Sequence, residues 1–433
     1  MRALQLLRRV IRSRVAQTSG ALLVSQIVLG VGGVVAARAL GPAGRGVATG
    51  IVSWVVTVPA FAMLGMNTAL GVRVAQKVAD LGTASASALA FLGIVGSPVA
   101  LVAALFVPPV IGGLGQHAAA VARWAVPIGV LLVMSCELLM AITVALRRYR
   151  VFNGSRILTP LVTLVIIAVF AATGRLTPTI VVVATLAGTA ACLIWLGTSI
   201  PWRRGRFHRA EFSADLRFGA TSAISGWANL VNARLDLLLM SAFVAASQLG
   251  YYGAANNVML PVLTIPSAAA TVLVPRVAAL LGKSDLDRDE VTLLQVKLIS
   301  EVARRYILVS LIGGAALAIA APFIIPLLLG DSFKPAVVLV WILIPGFVGR
   351  AATAIIANGA AAMRYPRVGN VAEVVAVVVT LILLAVLLPS FAAKGAAIAS
   401  TAAYLTSAVV AVIALRRLNS AAAARSAPRA DAI

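Results

Sequence analysis

The string NLVNARLDLLLM at 229–240 sets Arg234 and Asp236 inside an otherwise apolar run. Two residues apart on a helix, their side chains point about 200° from one another. They do not neutralise each other directly, so at least one needs another helix or water. Glu137, Arg350 and Glu373 stand in three further apolar runs, and Asn67, Asn229, Asn232, Asn256, Asn257 and Asn358 add neutral hydrogen-bonding groups. Ionisable groups surrounded by apolar sequence are costly and face a cavity or a partner. An Arg there is a fixed cation whose planar fork matches phosphate and carboxylate, while an Asp or Glu can take up a proton or a small cation.

Each of these residues also has a structural reading. Asn side chains hold neighbouring helices together as readily as they bind a ligand. Glu373 and Arg38 fall near the ends of their runs, where snorkelling to the interface accounts for them. Arg234, Asp236 and Arg350 lie deepest and are read as cavity groups. Cys136 and Cys192 have no partner spacing, so neither a disulfide framework nor a metal site is expected. Pro59, Pro98, Pro127, Pro160, Pro261, Pro266, Pro326 and Pro345 lie within the apolar runs, where proline bends helices.

The elements that position these groups follow from composition. Of the 433 residues 61% are hydrophobic and 11% charged, with a mean hydropathy of +1.03. A soluble domain carries about 25% charged residues, so lipid must be the solvent for much of this chain. A crossing helix needs about 20 apolar residues. Spans are expected near 15–37, 47–71, 84–110, 119–146, 156–173 and 179–200, then near 217–244, 251–275, 303–329, 335–358, 368–389 and 394–415. The expected fold is an all-α integral membrane protein of about twelve helices.

Loop charge tests this count. With the N-terminus in the cytoplasm, 28 basic residues fall on the inner side, while Arg38, Arg45, Arg123, Arg175, Lys334 and Lys394 fall on the outer. That asymmetry satisfies the positive-inside rule and places both termini in the cytoplasm. The net charge of +23 is therefore spread over short inner loops rather than gathered on one groove, which argues against nucleic-acid binding. Leu4, Leu7 and Ile11, spaced among Arg2, Arg8, Arg9, Arg12 and Arg14, mark 1–14 as an interfacial amphipathic segment. The apolar run that follows is too long for the core of a signal peptide. The stretch 276–302 is expected to form a cytoplasmic surface helix. No loop is large enough for a soluble catalytic domain, so an enzyme is not expected.

The chain also repeats itself. Trp124 and Asn153 match Trp341 and Asn370 at one offset of 217, each pair enclosing a proline (Pro127, Pro345), and RRYRVFN matches MRYPRVGN. Leu40-Gly41 likewise matches Leu249-Gly250. Two six-helix bundles related by a parallel pseudo-twofold axis follow. The expected divisions are 15–200 for the first bundle, 201–216 for a cytoplasmic linker, 217–417 for the second bundle and 418–433 for a disordered cytoplasmic tail.

The runs ARALGPAGRG at 37–46 and GMNTALGVRVAQ at 65–76 resemble the start of the oligosaccharide-lipid flippases of the multidrug/oligosaccharidyl-lipid/polysaccharide (MOP) exporter superfamily. NLVNARLDLLLM, ASQLGYYGAANN, LVPRVAAL, LLLGDSFKPAVVLVWILIPG and KGAAIASTAAYL continue that resemblance in order over nearly the whole chain. It implies two bundles around a central cavity, and a polyprenyl-pyrophosphate-linked oligosaccharide turned from the inner to the outer leaflet of a bacterial cell membrane. It implies Arg234 and Arg350 as substrate-binding groups, and Asp236 and Glu137 as candidate acids coupling transport to a sodium or proton gradient, with no cofactor; Asn232 and Asn67 are expected to bind substrate beside them. Polysaccharide polymerase or other assembly proteins are the implied protein partners. The lipid II flippases have fourteen spans and a basic triad in the first two, which this chain lacks. The alternative on the same architecture is a cation-coupled multidrug antiporter, which would need more acids and aromatic groups at membrane depth.

Overall fold

A computed structural model of the chain describes residues 14–76, 80–202, 205–282 and 287–426. Its long elements are helices: α1 (Arg14–Ala62), α2 (Met66–Ala75), α3 (Leu81–Phe91), α4 (Ser97–Val110), α5 (Gln116–Ala145), α6 (Tyr149–Ala172), α7 (Pro178–Ser199), α8 (Arg209–Phe243), α9 (Ala246–Ala279), α10 (Arg288–Leu329), α11 (Pro335–Ala362) and α12 (Arg367–Ser426). Helices α3 and α4 are joined without a break by a π-helical turn, Leu92–Gly96. Among the described residues, eight helices are long and apolar enough to cross a membrane, α3 and α4 counting as one, or nine with the bent α9.

Two of those eight are each a pair of spans. Helix α1 has 49 residues and α12 has 60, where about 20 suffice. Each is interrupted by one left-handed residue, Gly41 (φ 66°) in α1 and Ala392 (φ 45°) in α12. Counting both halves, and adding the more polar α8, the described residues hold twelve spans. This is an all-α integral membrane protein of the expected twelve helices in two sets of six. The bend of 49° in α9 falls between Leu260 and Ile265.

The backbone carries the repeat. After α5, Arg147 takes a left-handed conformation (φ 57°), Arg147 N bonds the carbonyl of Val144 and Arg148 N that of Thr143. After α11, Arg364 does the same (φ 66°), with Arg364 N on Ala361 and Tyr365 N on Ala360. Both are Schellman closures, 217 residues apart, at the same point of each hairpin.

The chain divides into two compact units. Unit 1 runs to Leu230 and includes Leu237–Gly250; unit 2 comprises Val231–Asp236 and the chain from Tyr251 onward. In unit 1, Leu139, Ile142 and Leu196 form one buried cluster with Cys136 and Cys192, and Ala36, Ala48, Ile167 and Ala184 form another. Unit 2 buries Leu273, Val277, Ile299, Ile355, Met363 and Leu415 together. Large apolar side chains such as Ile27, Phe106, Ile319 and Phe323 point outward, as lipid-facing surface does. Alanine and glycine fill the helix contacts, because between helices in lipid close van der Waals packing replaces the hydrophobic effect.

Three expectations change here. Residues 288–302 do not form a separate surface helix. Asp287 and Glu290 make a capping box that starts α10, and the helix continues unbroken to Leu329. The tail expected to be disordered from 418 stays helical to Ser426, where Arg425 pairs with Asp289 at 3.0 Å. The second half of the 201–216 linker forms the first turns of α8. The expected amphipathic segment falls, up to residue 13, outside the described residues.

Candidate functional site

Asn232 and Asp236 are four residues apart on α8 and therefore share one face. Ser400 and Tyr404 share a face of α12 for the same reason. The two faces meet in unit 2. Ser400 Oγ donates to Asp236 Oδ2 at 3.3 Å, and Tyr404 OH donates to the Asn232 carbonyl at 3.2 Å. Tyr252 of α9 also donates its hydroxyl to Asp236 Oδ2 and lies 3.0 Å from Ser400 Oγ. Two hydroxyl protons thus serve three close approaches, and the carboxylate holds both donors. All of these side chains are buried.

The network extends through Asn232. Its Nδ2 donates to Glu373 Oε2 at 2.9 Å, and Thr380 Oγ1 donates to its Oδ1 at 3.3 Å. Arg350 Nη1 donates to Tyr404 OH at 2.8 Å, and its guanidinium lies 4.9 Å from the centre of the same ring. Phe347 packs edge-on against Tyr404 at 5.9 Å. Arg350 has five N–H donors and makes one hydrogen bond among the described residues. Glu373 was expected to snorkel toward the interface; it turns inward instead, because Asn232 offers its carboxylate a donor inside the unit.

Arg234 is not hydrogen-bonded into this network, although it lies close enough to feel the charges of Asp236 and Arg350. Two residues from both Asn232 and Asp236, it projects from the other side of α8. It is half-buried, and among the described residues it makes no hydrogen bond and no ion pair. Arg234 and Asp236 do not pair, as their spacing requires. Among the described residues the ion pairs are Arg73 with Glu211 and Asp215, Lys334 with Asp331, and Arg425 with Asp289, all near helix ends.

Asn67 and Glu137 belong to a different place. Both line a cavity of about 680 Å³ in unit 1, with Arg147, Tyr149, Phe152, Arg156 and Cys192. The six predicted site residues thus separate into four in unit 2 and two in unit 1. Near this cavity Arg73, at the end of α2, clamps Glu211 and Asp215 of α8. Asp215 is 3% exposed. Burial raises its carboxyl above the ordinary range, and the hydrogen bond from Arg73 only partly offsets that. Burial by itself would lower Arg73, but the hydrogen bonds and charges of Asp215 and Glu211 carry it above its usual value.

Tyr252, Ser400, Tyr404 and Thr380 were not anticipated as site residues, and Arg156 was counted only as loop charge. The i, i+4 spacing of Ser400 and Tyr404 inside KGAAIASTAAYL was the available signal. It becomes meaningful only beside the same spacing of Asn232 and Asp236. Among the described residues no three His, Cys, Asp or Glu side chains cluster as a metal would need.

Known folds and families place this arrangement. The chain is similar over 94% of its length to an inward closed conformation of the lipid II flippase MurJ, at 12% identity and a TM-score of 0.76, covering 90% of that chain. An inward-facing multidrug resistance MATE family transporter of the MOP superfamily matches 93% of this chain and 96% of its own, with 14% identity and a TM-score of 0.70. A MOP superfamily transporter from Pyrococcus furiosus matches 95% and 96% respectively, with 13% identity and a TM-score of 0.58. At these identities the likeness establishes the fold. No curated protein matches the sequence. The chain has the fold of these MOP superfamily proteins, and a family model described as polysaccharide biosynthesis protein matches residues 35–338, so the chain belongs to that family.

Proposed function

We propose that this protein moves a polyprenyl-pyrophosphate-linked oligosaccharide from the inner to the outer leaflet of a bacterial cell membrane by alternating access, with both termini in the cytoplasm. The observation that carries the reading is Arg234. A guanidinium held within an apolar helix, with no hydrogen bond or ion pair among the described residues, is a site for an anion that arrives from elsewhere. Pyrophosphate suits it, because fixed positive charge offsets the cost of bringing an anion into a low-dielectric region. Arg350 supplies further donors from the Tyr404 network. Membership of a polysaccharide biosynthesis family supports a glycan as the cargo. Asp236, held by two hydroxyls, is the proposed coupling acid for a sodium or proton gradient.

The test is genetic and chemical. In a deletion strain the inner leaflet should accumulate one lipid-linked saccharide, and the wild-type gene should clear it. If no such lipid accumulates, the flippase reading fails. If Arg234→Ala clears it as well as wild type does, the role given to Arg234 fails and the transport reading stands.

A further inference from the structure

The 680 Å³ cavity of unit 1 has a counterpart in the other half that shows what the fold itself requires. The 217-residue offset that relates Trp124 to Trp341 and Arg147 to Arg364 pairs Glu137 with Ala354. Ala354 also lines a cavity, with Ser267, Ala270, Val274 and Asn358, but that cavity has about 280 Å³. The same offset pairs Arg156 with Glu373, Phe152 with Gly369 and Tyr149 with Pro366. One half therefore builds these positions from Ala354, Gly369, Pro366 and Glu373, so the repeat architecture demands neither a carboxylate at 137 nor the aromatic side chains of Phe152 and Tyr149. A carboxylate inside a helical bundle is costly, and Glu137 has no ion pair among the described residues.

The lining identifies the ligand chemistry. Glu137 offers an acceptor-only carboxylate, Asn67 an amide that donates and accepts, Ser155 and Thr159 hydroxyls, and Arg147 and Arg156 guanidinium donors. Arg156 lies 4.8 Å over the Phe152 ring, which holds it in place, and Tyr149 adds a second aromatic surface. An anion would meet Glu137 and a cation would meet two arginines. A molecule rich in hydroxyls, each both donor and acceptor, satisfies all of them at once. The volume lies within the usual range for small-molecule sites, about 300–1,000 Å³.

We propose that this cavity is a carbohydrate site, which seats a sugar of the lipid-linked glycan through Glu137 and Asn67 and so selects which glycan is moved. The proposal rests on the flippase reading above. It gives Glu137 a binding role in place of the coupling role expected from sequence.

The experiment measures binding of the full chain in nanodiscs to polyprenyl diphosphate, bare or carrying a hexose, an N-acetylhexosamine or a hexuronic acid. At least one glycosylated lipid should bind tenfold or more tightly than the bare lipid. Glu137→Gln and Asn67→Ala should each bring that preference to within about threefold while the bare lipid's affinity stays within about twofold; Arg234→Ala should weaken all four lipids alike. If the two cavity variants keep the wild-type preference, or if the wild type has none, the carbohydrate site is overturned and the flippase reading survives. If the wild type binds none of the four lipids, both fall. A Glu137→Gln protein that keeps its sugar preference but loses the pH dependence of transport would return Glu137 to a coupling role and overturn the proposal.

Discussion

The Tyr404 hydroxyl accepts a hydrogen bond from Arg350 at 2.8 Å and donates one to the Asn232 carbonyl at 3.2 Å. One oxygen thereby ties a guanidinium on α11 to the backbone of α8. The six residues Val231–Asp236 of α8 belong to unit 2, and this bond joins their backbone to α12 within that unit.

Tyr404→Phe removes both bonds and keeps the ring on which Arg350 and Phe347 rest. Leaving buried partners unsatisfied costs about 1–3 kcal/mol, so the thermal unfolding midpoint in detergent should fall. An unchanged midpoint would show that the hydroxyl is dispensable.

Arg234→Ala should behave in the opposite way. With no hydrogen bond or ion pair to lose among the described residues, stability should fall by no more than about 1 kcal/mol, the centre of the range for single substitutions. Complementation of a deletion strain should nevertheless drop tenfold or more. Arg234→Lys should restore part of it, since an ammonium keeps the charge but not the two-pronged geometry. Loss of stability and transport together would place Arg234 in the fold instead.

The Arg73 clamp yields a pH prediction. Asp215 has its carboxyl raised by burial. A raised carboxyl contributes stability that is fully present below the ordinary Asp pKa of about 3.9 and is lost as pH rises through the folded value. Unfolding midpoints of the wild type should decline on passing upward from about pH 4, and Asp215→Asn should flatten that decline. Arg73→Ala should lower the midpoint at neutral pH, because an unpaired buried carboxylate costs about 3 kcal/mol. A wild-type profile flat across this range, measured by scanning fluorimetry, would contradict the assignment.

Gly65 and Gly219 approach through their backbones. A Cβ on Gly65 would stand 2.2 Å from the Gly219 carbonyl oxygen, and one on Gly219 would stand 2.7 Å from the Leu64 oxygen. Gly65 is also left-handed (φ 68°), which costs an L-residue about 1–2 kcal/mol before any clash. Gly65→Ala should reduce the monodisperse fraction on gel filtration sharply. Gly30→Ala, where nothing lies within 4 Å, should leave it unchanged.

Much of this protein is legible without coordinates. Twelve apolar runs long enough for hydrocarbon, inner loops rich in arginine and a 217-residue offset are one-dimensional facts, and lipid enforces their meaning because a spanning segment must satisfy its own backbone. Helix periodicity likewise separates Arg234 from Asn232 and Asp236. Pairing across helices is not written in that way. Nothing in the sequence near Glu373 distinguishes a side chain that snorkels from one that reaches Asn232. Nor does spacing alone bring Asn67 to the cavity that Glu137 lines, or give unit 1 a larger cavity than its repeat. Those outcomes depend on which helix faces meet, a matter of packing between residues far apart in the chain, 141 positions for Asn232 and Glu373. The tertiary structure decided them: Asn232 and Asp236 are satisfied within unit 2, Arg234 makes no hydrogen bond or ion pair among the described residues, and Glu137 lines a cavity where its repeat partner is an alanine.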